Sequence, residues 1–327
     1  MDAERATTVG DLGERALLAR ILTALEGSSR ADVGPGDDAA VLAVPGGRVV
    51  VSTDTLVHGP DFRLAWSRGY DLGWKAAAVN LADIAAMGAA PTALFVALAL
   101  PDDTRADVVD DLARGLRDAC DALAPGCAVE GGDLTASDTL TIAVTALGVL
   151  GDHPPVLRSG ARPGDALAVA GTLGAAARGL RILFDRFRDA SGTPVAVDDA
   201  VLGAAERADL AAQLRPSPPI DLGVVAARAG ATAMMDVSDG LLLDATRLAD
   251  ASGITLDLDP GLDDDALRGG EDHALLAAFP AGTELPPGFR AIGRTRARGE
   301  APVTIAGAPV TGHLGWDPHR DWDAGRG

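Results

Sequence analysis

Residues 91–150, PTALFVALALPDDTRADVVDDLARGLRDACDALAPGCAVEGGDLTASDTLTIAVTALGVL, decide the fold class. The apolar run 93–100 predicts a strand, and residues 104–123 space their apolar positions as an amphipathic helix does. Gly131-Gly132-Asp133 reads as a glycine loop, and the alternating residues 139–150 read as a second strand. Strands and helices in alternation indicate a mixed α/β domain.

Working outward, residues 48–53 are β-branched and predict a strand ending at Asp54. The alanine-rich residues 70–87 predict a long helix stopped at Gly88, and residues 11–26 an amphipathic helix stopped near Gly27. Toward the C-terminus, the turn formers at 151–155 mark a domain boundary near residue 151. Beyond it come helices over 175–188, 198–214, 222–229 and 241–252, and strands over 166–170, 232–235 and 254–258. The expectation is an α/β protein of the α+β type, with two mixed α/β domains over 1–150 and 151–327. A chain of 327 residues exceeds what one hydrophobic core usually organises.

The balance of 28 basic against 47 acidic residues gives a net charge of −19, which repels nucleic-acid phosphates and anionic membrane surfaces. Neither is an expected partner. Clustered carboxylates that bind divalent cations reverse the local sign, so a phosphorylated substrate stays open. The first residues carry acidic groups where a signal peptide needs basic ones, and Pro91 and Thr92 interrupt the longest apolar run, so a cytoplasmic protein is expected. Cys120 and Cys127 form no ligand pattern and read as reduced thiols.

Chemistry concentrates in carboxylates within short loops at element ends: Gly36-Asp37-Asp38, Ser52-Thr53-Asp54, Gly131-Gly132-Asp133 and Asp236-Val237-Ser238-Asp239-Gly240. Asp83 lies inside the long helix, one turn from Asn80 and two from Lys75 on a shared side. Each loop alone is ordinary turn chemistry, and Asp239 alone is a natural helix cap. Together they suit magnesium, which takes oxygen ligands from separate loops and completes its shell with phosphate oxygens and water. The GxxxxGK[ST] loop, the protein-kinase signatures, the GxSxG elbow and a strand-to-helix GxGxxG are all missing, so any ATP site is built another way.

Nine blocks in order carry a resemblance: GPGDDAAV (34–41), STDTLV (52–57), WKAAAVNLADIAAMGA (74–89), GGDLT (131–135), RSGARPGD (158–165), LRPSPP (214–219), MDVSDGL (235–241), GGEDHALL (269–276) and GWD (315–317). The sequence resembles the thiamine-monophosphate kinases nearly end to end, within a superfamily that also holds aminoimidazole ribonucleotide synthetase, selenophosphate synthetase and a hydrogenase maturation factor. The resemblance implies a homodimer whose N-terminal sheets pair across the interface, with ATP nearby and a C-terminal domain closing the cleft. It implies that Asp38, Ser52, Thr53, Asp54, Asp83, Asp133, Asp236 and Asp239 hold several magnesium ions. Gly132, Asp133, Arg158 and Ser238 are implied to meet ATP, and Asp61, Glu271 and Trp316 the thiamine-phosphate substrate. No covalent or general-base residue is assigned, because a phosphate nucleophile is already ionised at neutral pH.

Three features depart from the family pattern. Asp61-Phe62 stands where a His-Phe pair is usual, with a histidine displaced to His58; His273-Ala274 replaces Tyr-Glu; and residues 262–268 are shorter than expected. The alternatives left open are another ATP-using enzyme of the superfamily with a different substrate, and a nucleotide-binding homologue without activity. Against selenophosphate synthetase, no cysteine precedes Cys120.

Overall fold

The computed structural model describes residues 7–12, 14–30, 44 and 47–316. In chain order its elements are α1 (Val9–Leu12), α2 (Glu14–Ala24), β1 (Val49–Val57), α3 (Gly69–Ala86), β2 (Ala90–Leu100), α4 (Ala106–Leu123), β3 (Ala128–Ala136) and β4 (Thr141–Val149). There follow β5 (Ala166–Ala170), α5 (Ala175–Arg186), a 3₁₀ turn (Asp199–Val201), α6 (Ala204–Leu214), α7 (Ile220–Arg228), β6 (Ala233–Val237), α8 (Leu241–Ser252) and β7 (Ile254–Leu258). The chain continues through α9 (Asp264–Arg268), β8 (Ala274–Phe279), β9 (Phe289–Ala297), β10 (Val303–Ile305) and β11 (Ala308–Pro309). This is the mixed α/β architecture expected from the alternation.

Two sheets result, ordered β1-β4-β2-β3 and β11-β10-β7-β9-β5-β8-β6. Helix α3 lies between them. Every residue of α3 except Tyr70, Trp74 and Asp83 is buried, which is the pattern of a helix with no solvent face. Its alanines keep it thin enough to be covered from both sides. On one side it meets Ile142, Val144 and Ala146 of β4; on the other, Met234 of β6 and Leu275, Ala277 and Phe279 of β8 join the same apolar core. The opposite face of the seven-stranded sheet, with Met235, Val237 and Leu276, packs on Leu241, Ala245 and Leu248 of α8.

Glycines set the close approaches. A Cβ on Gly73 would stand 2.0 Å from the Leu112 carbonyl oxygen of α4, and one on Gly115 2.1 Å from that of Tyr70, so α3 and α4 touch backbone to backbone. Gly223 gives α7 the same access to Ala85, at 2.1 Å, and ties the second half of the chain to α3.

Several elements differ from the sequence expectation. Strand β1 runs through Asp54 to Val57, because Thr55, Leu56 and Val57 continue to pair with β4. Gly131-Gly132-Asp133 is not a loop but the middle of β3. A Cβ on Gly132 would lie 2.0 Å from the Val96 oxygen of the neighbouring strand, so the glycine serves strand packing. The helix expected over 198–214 breaks at Gly203 into the 3₁₀ turn and α6. Strands β8 to β11 lacked a signal: ALLAAF of β8 is buried throughout and shows no alternation.

Candidate active site

Strand alternation aims the acidic residues. Ser52 and Asp54 lie on the face of β1 that turns toward α3, and the Ser52 hydroxyl donates to Asp83 Oδ2 of α3 at 2.6 Å. On β6, Asp236 shares the α3-facing side with Met234, so it projects toward the same helix. His273, buried just before β8, meets Asp236 with Nδ1 to Oδ2 at 3.1 Å. The result is a set of crowded carboxylates at the seam between the sheets. Burial pushes the Asp83 carboxyl up to about 6, with the charges of Asp236 and Asp54 adding to it. Asp54 is raised too, chiefly by burial; nearby His273 opposes the shift, while Asp236, Asp239 and Asp61 reinforce it. Burial alone would lower the His273 pKa, but its bond to Asp236 and the charges of Asp236 and Glu271 outweigh that and leave it raised.

The loop after β6 is held by a carboxylate the sequence reading passed over. Asp244 of α8 is fully buried and accepts from the backbone N–H groups of Ser238 and Asp239, each at 3.0 Å. Asp239 therefore is not the cap of α8; its side chain instead takes a 2.6 Å bond from Arg247, which also holds Asp244 at 2.6 Å. Two distant segments press on this loop through glycines. A Cβ on Gly270 would sit 2.1 Å from the Ser238 oxygen, and one on Gly315 2.2 Å from that of Asp239. The Glu271 N–H donates to Ser238 O and the Trp316 N–H to Asp239 O, each at 2.8 Å. Glu271 and His273 both adopt positive φ, 71° and 51°, a strained backbone that these contacts hold in place.

Beside this loop opens a cavity of about 580 Å³. Asp61, Glu271, Trp316 and Ser238, all singled out from the sequence, line it together with Arg63, Trp66, Lys75 and Phe184. Lys75, buried on α3, donates to Glu271 Oε2, as does Gln213 at 3.3 Å. Lys75 was visible as part of the polar side of the alanine-rich helix, but nothing in the sequence pairs it with Glu271. Arg63 lies over the Trp66 and Phe184 rings, 4.8 and 5.0 Å from their centroids. His58 does not line the cavity; its ring packs 5.6 Å from that of Phe62.

Other sequence candidates stand apart. Asp38 lies outside the described residues. Thr53 points to the opposite face of β1 from Ser52 and Asp54, where its hydroxyl is 3.3 Å from that of Thr145. Gly132 and Asp133 are on β3, at the other edge of the sheet and about 14 Å from β1 at the usual strand spacing. Exposed Arg158 sits by the end of α8 away from Asp239, its carbonyl accepting from Ser252 at 2.7 Å. Among the described residues, no three His, Cys, Asp or Glu side chains form a preformed metal cage.

The family described as AIR synthase related protein, N-terminal domain, matches residues 36–150. A thiamine-monophosphate kinase of Mycobacterium tuberculosis (strain ATCC 25618 / H37Rv) is 39% identical, covering 96% of this chain and 94% of that protein. One of Corynebacterium glutamicum is 41% identical, covering 91% of each. The chain belongs to the thiamine-monophosphate kinase family. Solved structures agree: a thiamine-monophosphate kinase from Stenotrophomonas maltophilia K279a is 33% identical with a TM-score of 0.74, covering 94% of this chain and 100% of that one. AaThiL complexed with AMPPCP and TMP is 30% identical with a TM-score of 0.72, covering 96% and 99%.

Within a thiamine-monophosphate kinase, the blocks of this chain divide into two kinds. RSGARPGD builds the fold: Asp165 accepts from Arg162 N–H at 2.9 Å and from the Thr232 hydroxyl at 2.6 Å, closing the turn before β5. LRPSPP braces α3, since Pro216 O accepts from Trp74 Nε1 at 2.8 Å. STDTLV, MDVSDGL, GGEDHALL and the terminal Gly315-Trp316 instead meet at the acidic seam and its cavity.

Proposed function

We propose that this chain transfers the γ-phosphate of ATP to thiamine monophosphate, giving thiamine diphosphate and ADP. The observation that carries this reading is a kinase-family chain whose substrate-sized cavity, lined by Asp61, Glu271 and Trp316, opens beside the crowded carboxylates. A phosphate oxygen of thiamine monophosphate attacks the γ-phosphorus in line. The new P–O bond forms as the bond to the β,γ-bridging oxygen breaks, and no enzyme intermediate is needed.

The donors fit magnesium. They are hard oxygens that form no closed cage among the described residues, and their mutual repulsion is what a divalent cation relieves. Ser52, Asp54, Asp83, Asp236 and Asp239 would hold it, with Asp38 and Asp133 completing the set. Bound magnesium neutralises the reacting phosphate oxygens and fixes their alignment. The protein's own part is positional. Asp244 and Arg247 hold the Ser238–Asp239 loop against the cavity, and Lys75 sets Glu271.

A homodimer belongs to the same reading. The outer face of the four-stranded sheet carries Val49 and Val51, 43% and 59% exposed, beside half-buried Leu147 and Phe95. A second subunit laid on that face covers it and lets Asp133, which faces the same way, serve the partner's site. The four- and seven-stranded sheets support a domain division near residue 151. A cytoplasmic location belongs to the same reading, and the abundance of ATP in the cytoplasm supports it.

The test is product formation from ATP and thiamine monophosphate, with magnesium and then with chelator, and with free thiamine as the control acceptor. Magnesium-dependent thiamine diphosphate from the monophosphate alone is expected. Nucleotide binding without product sinks the proposal.

A further inference from the structure

Once its ion pairs are set aside, the charged groups left in the cavity's described lining are Asp61 and the guanidiniums of Arg63 and Arg188, both of which lie over the Phe184 ring. Lys75 is spent on Glu271, Arg181 on Asp265 at 2.6 Å, and Arg268 on Asp264 at 2.7 Å. Asp61 is different. Its Oδ2 accepts from the Val57 N–H at 2.7 Å, and its own N–H donates to Val57 O at 3.1 Å, so the carboxylate is locked on its turn. Among the described residues no cation stands within ion-pair distance of it, and its Oδ1 has no hydrogen-bond partner. Burial raises its pKa and the Glu271 charge adds to this, against the opposing Val57 bond and the charge of Lys75, which is itself paired to Glu271.

We propose that Asp61 is the counter-ion for the thiazolium ring of the bound substrate. This rests on the kinase reading above. Thiamine monophosphate has three parts in fixed order: a phosphate, a permanently positive thiazolium on a two-carbon tether, and an uncharged aminopyrimidine. The thiazolium nitrogen is quaternary and carries no proton, so it is recognised by opposite charge and by ring faces, not by hydrogen bonding.

The protein presents matching features in the same order. Asp54 and Asp236 mark the phosphate end. Asp61 comes next, near enough to Asp54 on one side and Glu271 on the other for its charge to act on both. Beyond it lies an aromatic end, where Trp66 and Phe184 meet edge to face at 71° with Arg63 over both rings. Arg63 has no carboxylate partner among the described residues, and a guanidinium donor there suits the lone pairs of a pyrimidine ring. Glu271 cannot take the counter-ion role as well, because Lys75 already neutralises it.

The experiment compares the full-length wild type with Asp61→Asn and Asp61→Glu, by steady-state kinetics and by calorimetric binding of two probes. One probe is thiamine, which has the cation but no phosphate. The other is the phosphate ester of 4-methyl-5-hydroxyethylthiazole, whose ring is uncharged. Asp61→Asn keeps an oxygen for the Val57 N–H and loses only the charge. It should raise the KM for thiamine monophosphate and weaken thiamine by about 10- to 100-fold, the scale of one partly screened charge pair. The KM for ATP and the affinity for the neutral thiazole phosphate should not move, and Asp61→Glu should recover most of the loss. Equal weakening of both probes, or of neither, overturns the assignment while leaving the kinase reading intact. A wild type that neither binds thiamine nor phosphorylates its monophosphate overturns both.

Discussion

Asp83→Asn should make the metal-free protein more stable and the enzyme inactive. Asp83 has a pKa of about 6 in the folded chain against 3.8 for an ordinary aspartate, because burial comes with the charges of Asp236 and Asp54. The folded state thus holds a proton that the unfolded state has released. For an acid raised in this way, stability falls as pH climbs from 3.8 through about 6, and above that window the full cost persists. Roughly two pKa units correspond to about 3 kcal/mol. Asparagine imitates the protonated acid, keeps an acceptor for the Ser52 hydroxyl and escapes the cost. In chelator at pH 7.5 the variant should melt about 5 °C above wild type. The gain should shrink by roughly half at pH 5 and vanish below the pKa of a free aspartate. Magnesium should then reverse the order at pH 7.5 by stabilising wild type alone, and turnover of the variant should fall roughly 100-fold or more. Melting curves by scanning calorimetry at three pH values, with and without magnesium, decide it. A variant that melts at or below wild type in chelator at pH 7.5 refutes the reasoning, since the carboxylates would then not be crowded.

Two further outcomes follow from the geometry. Asp54→Asn and Asp133→Asn should each be folded and inactive. If Asp133 serves the partner's site, mixing the two after reversible dissociation should restore roughly a quarter of wild-type activity, because half the dimers are mixed and each mixed dimer has one intact site; no recovery would place both residues in one subunit's site. Gly73→Ala should lower stability by about 2 kcal/mol or more despite alanine's better helix propensity, because its Cβ would lie 2.0 Å from the Leu112 oxygen. Chemical denaturation measures it, and an unchanged midpoint would mean that α3 and α4 separate at no cost.

The sequence showed the alternation of elements because most carry a period, and α3 also carried its own explanation. An alanine-rich helix with Lys75 and Asp83 on one side is what a helix between two sheets must be. The second sheet was only partly legible. Strands β5, β6 and β7 were expected and β8 was not. Burial on both faces erases alternation in all of these strands; β5, β6 and β7 still carry β-branched residues that mark a strand, whereas Ala274–Phe279 is only alanine, leucine and phenylalanine. Glycines misled in the other direction. Gly131 and Gly132 look like a turn, yet they are strand residues made small by the Phe95 ring and the Val96 backbone, a pressure visible only when β2 lies alongside.

The site divides along the same line. Carboxylates on strands could be found in the sequence, but the faces they occupy could not be used until the sheets were paired, and pairing separates Thr53 from Ser52 and Asp54. Side chains that act by holding others left the weakest trace. Asp244 looked like one more acid in an acidic helix, although it fastens the loop that carries Ser238 and Asp239. Lys75 and Glu271 lie far apart in the chain and meet because Gly270 lets the strained Glu271 turn close onto Ser238. Residues that touch substrate occur in recognisable blocks because chemistry restricts their type. Residues that support them need only a shape and a charge, and those depend on neighbours the sequence does not place side by side.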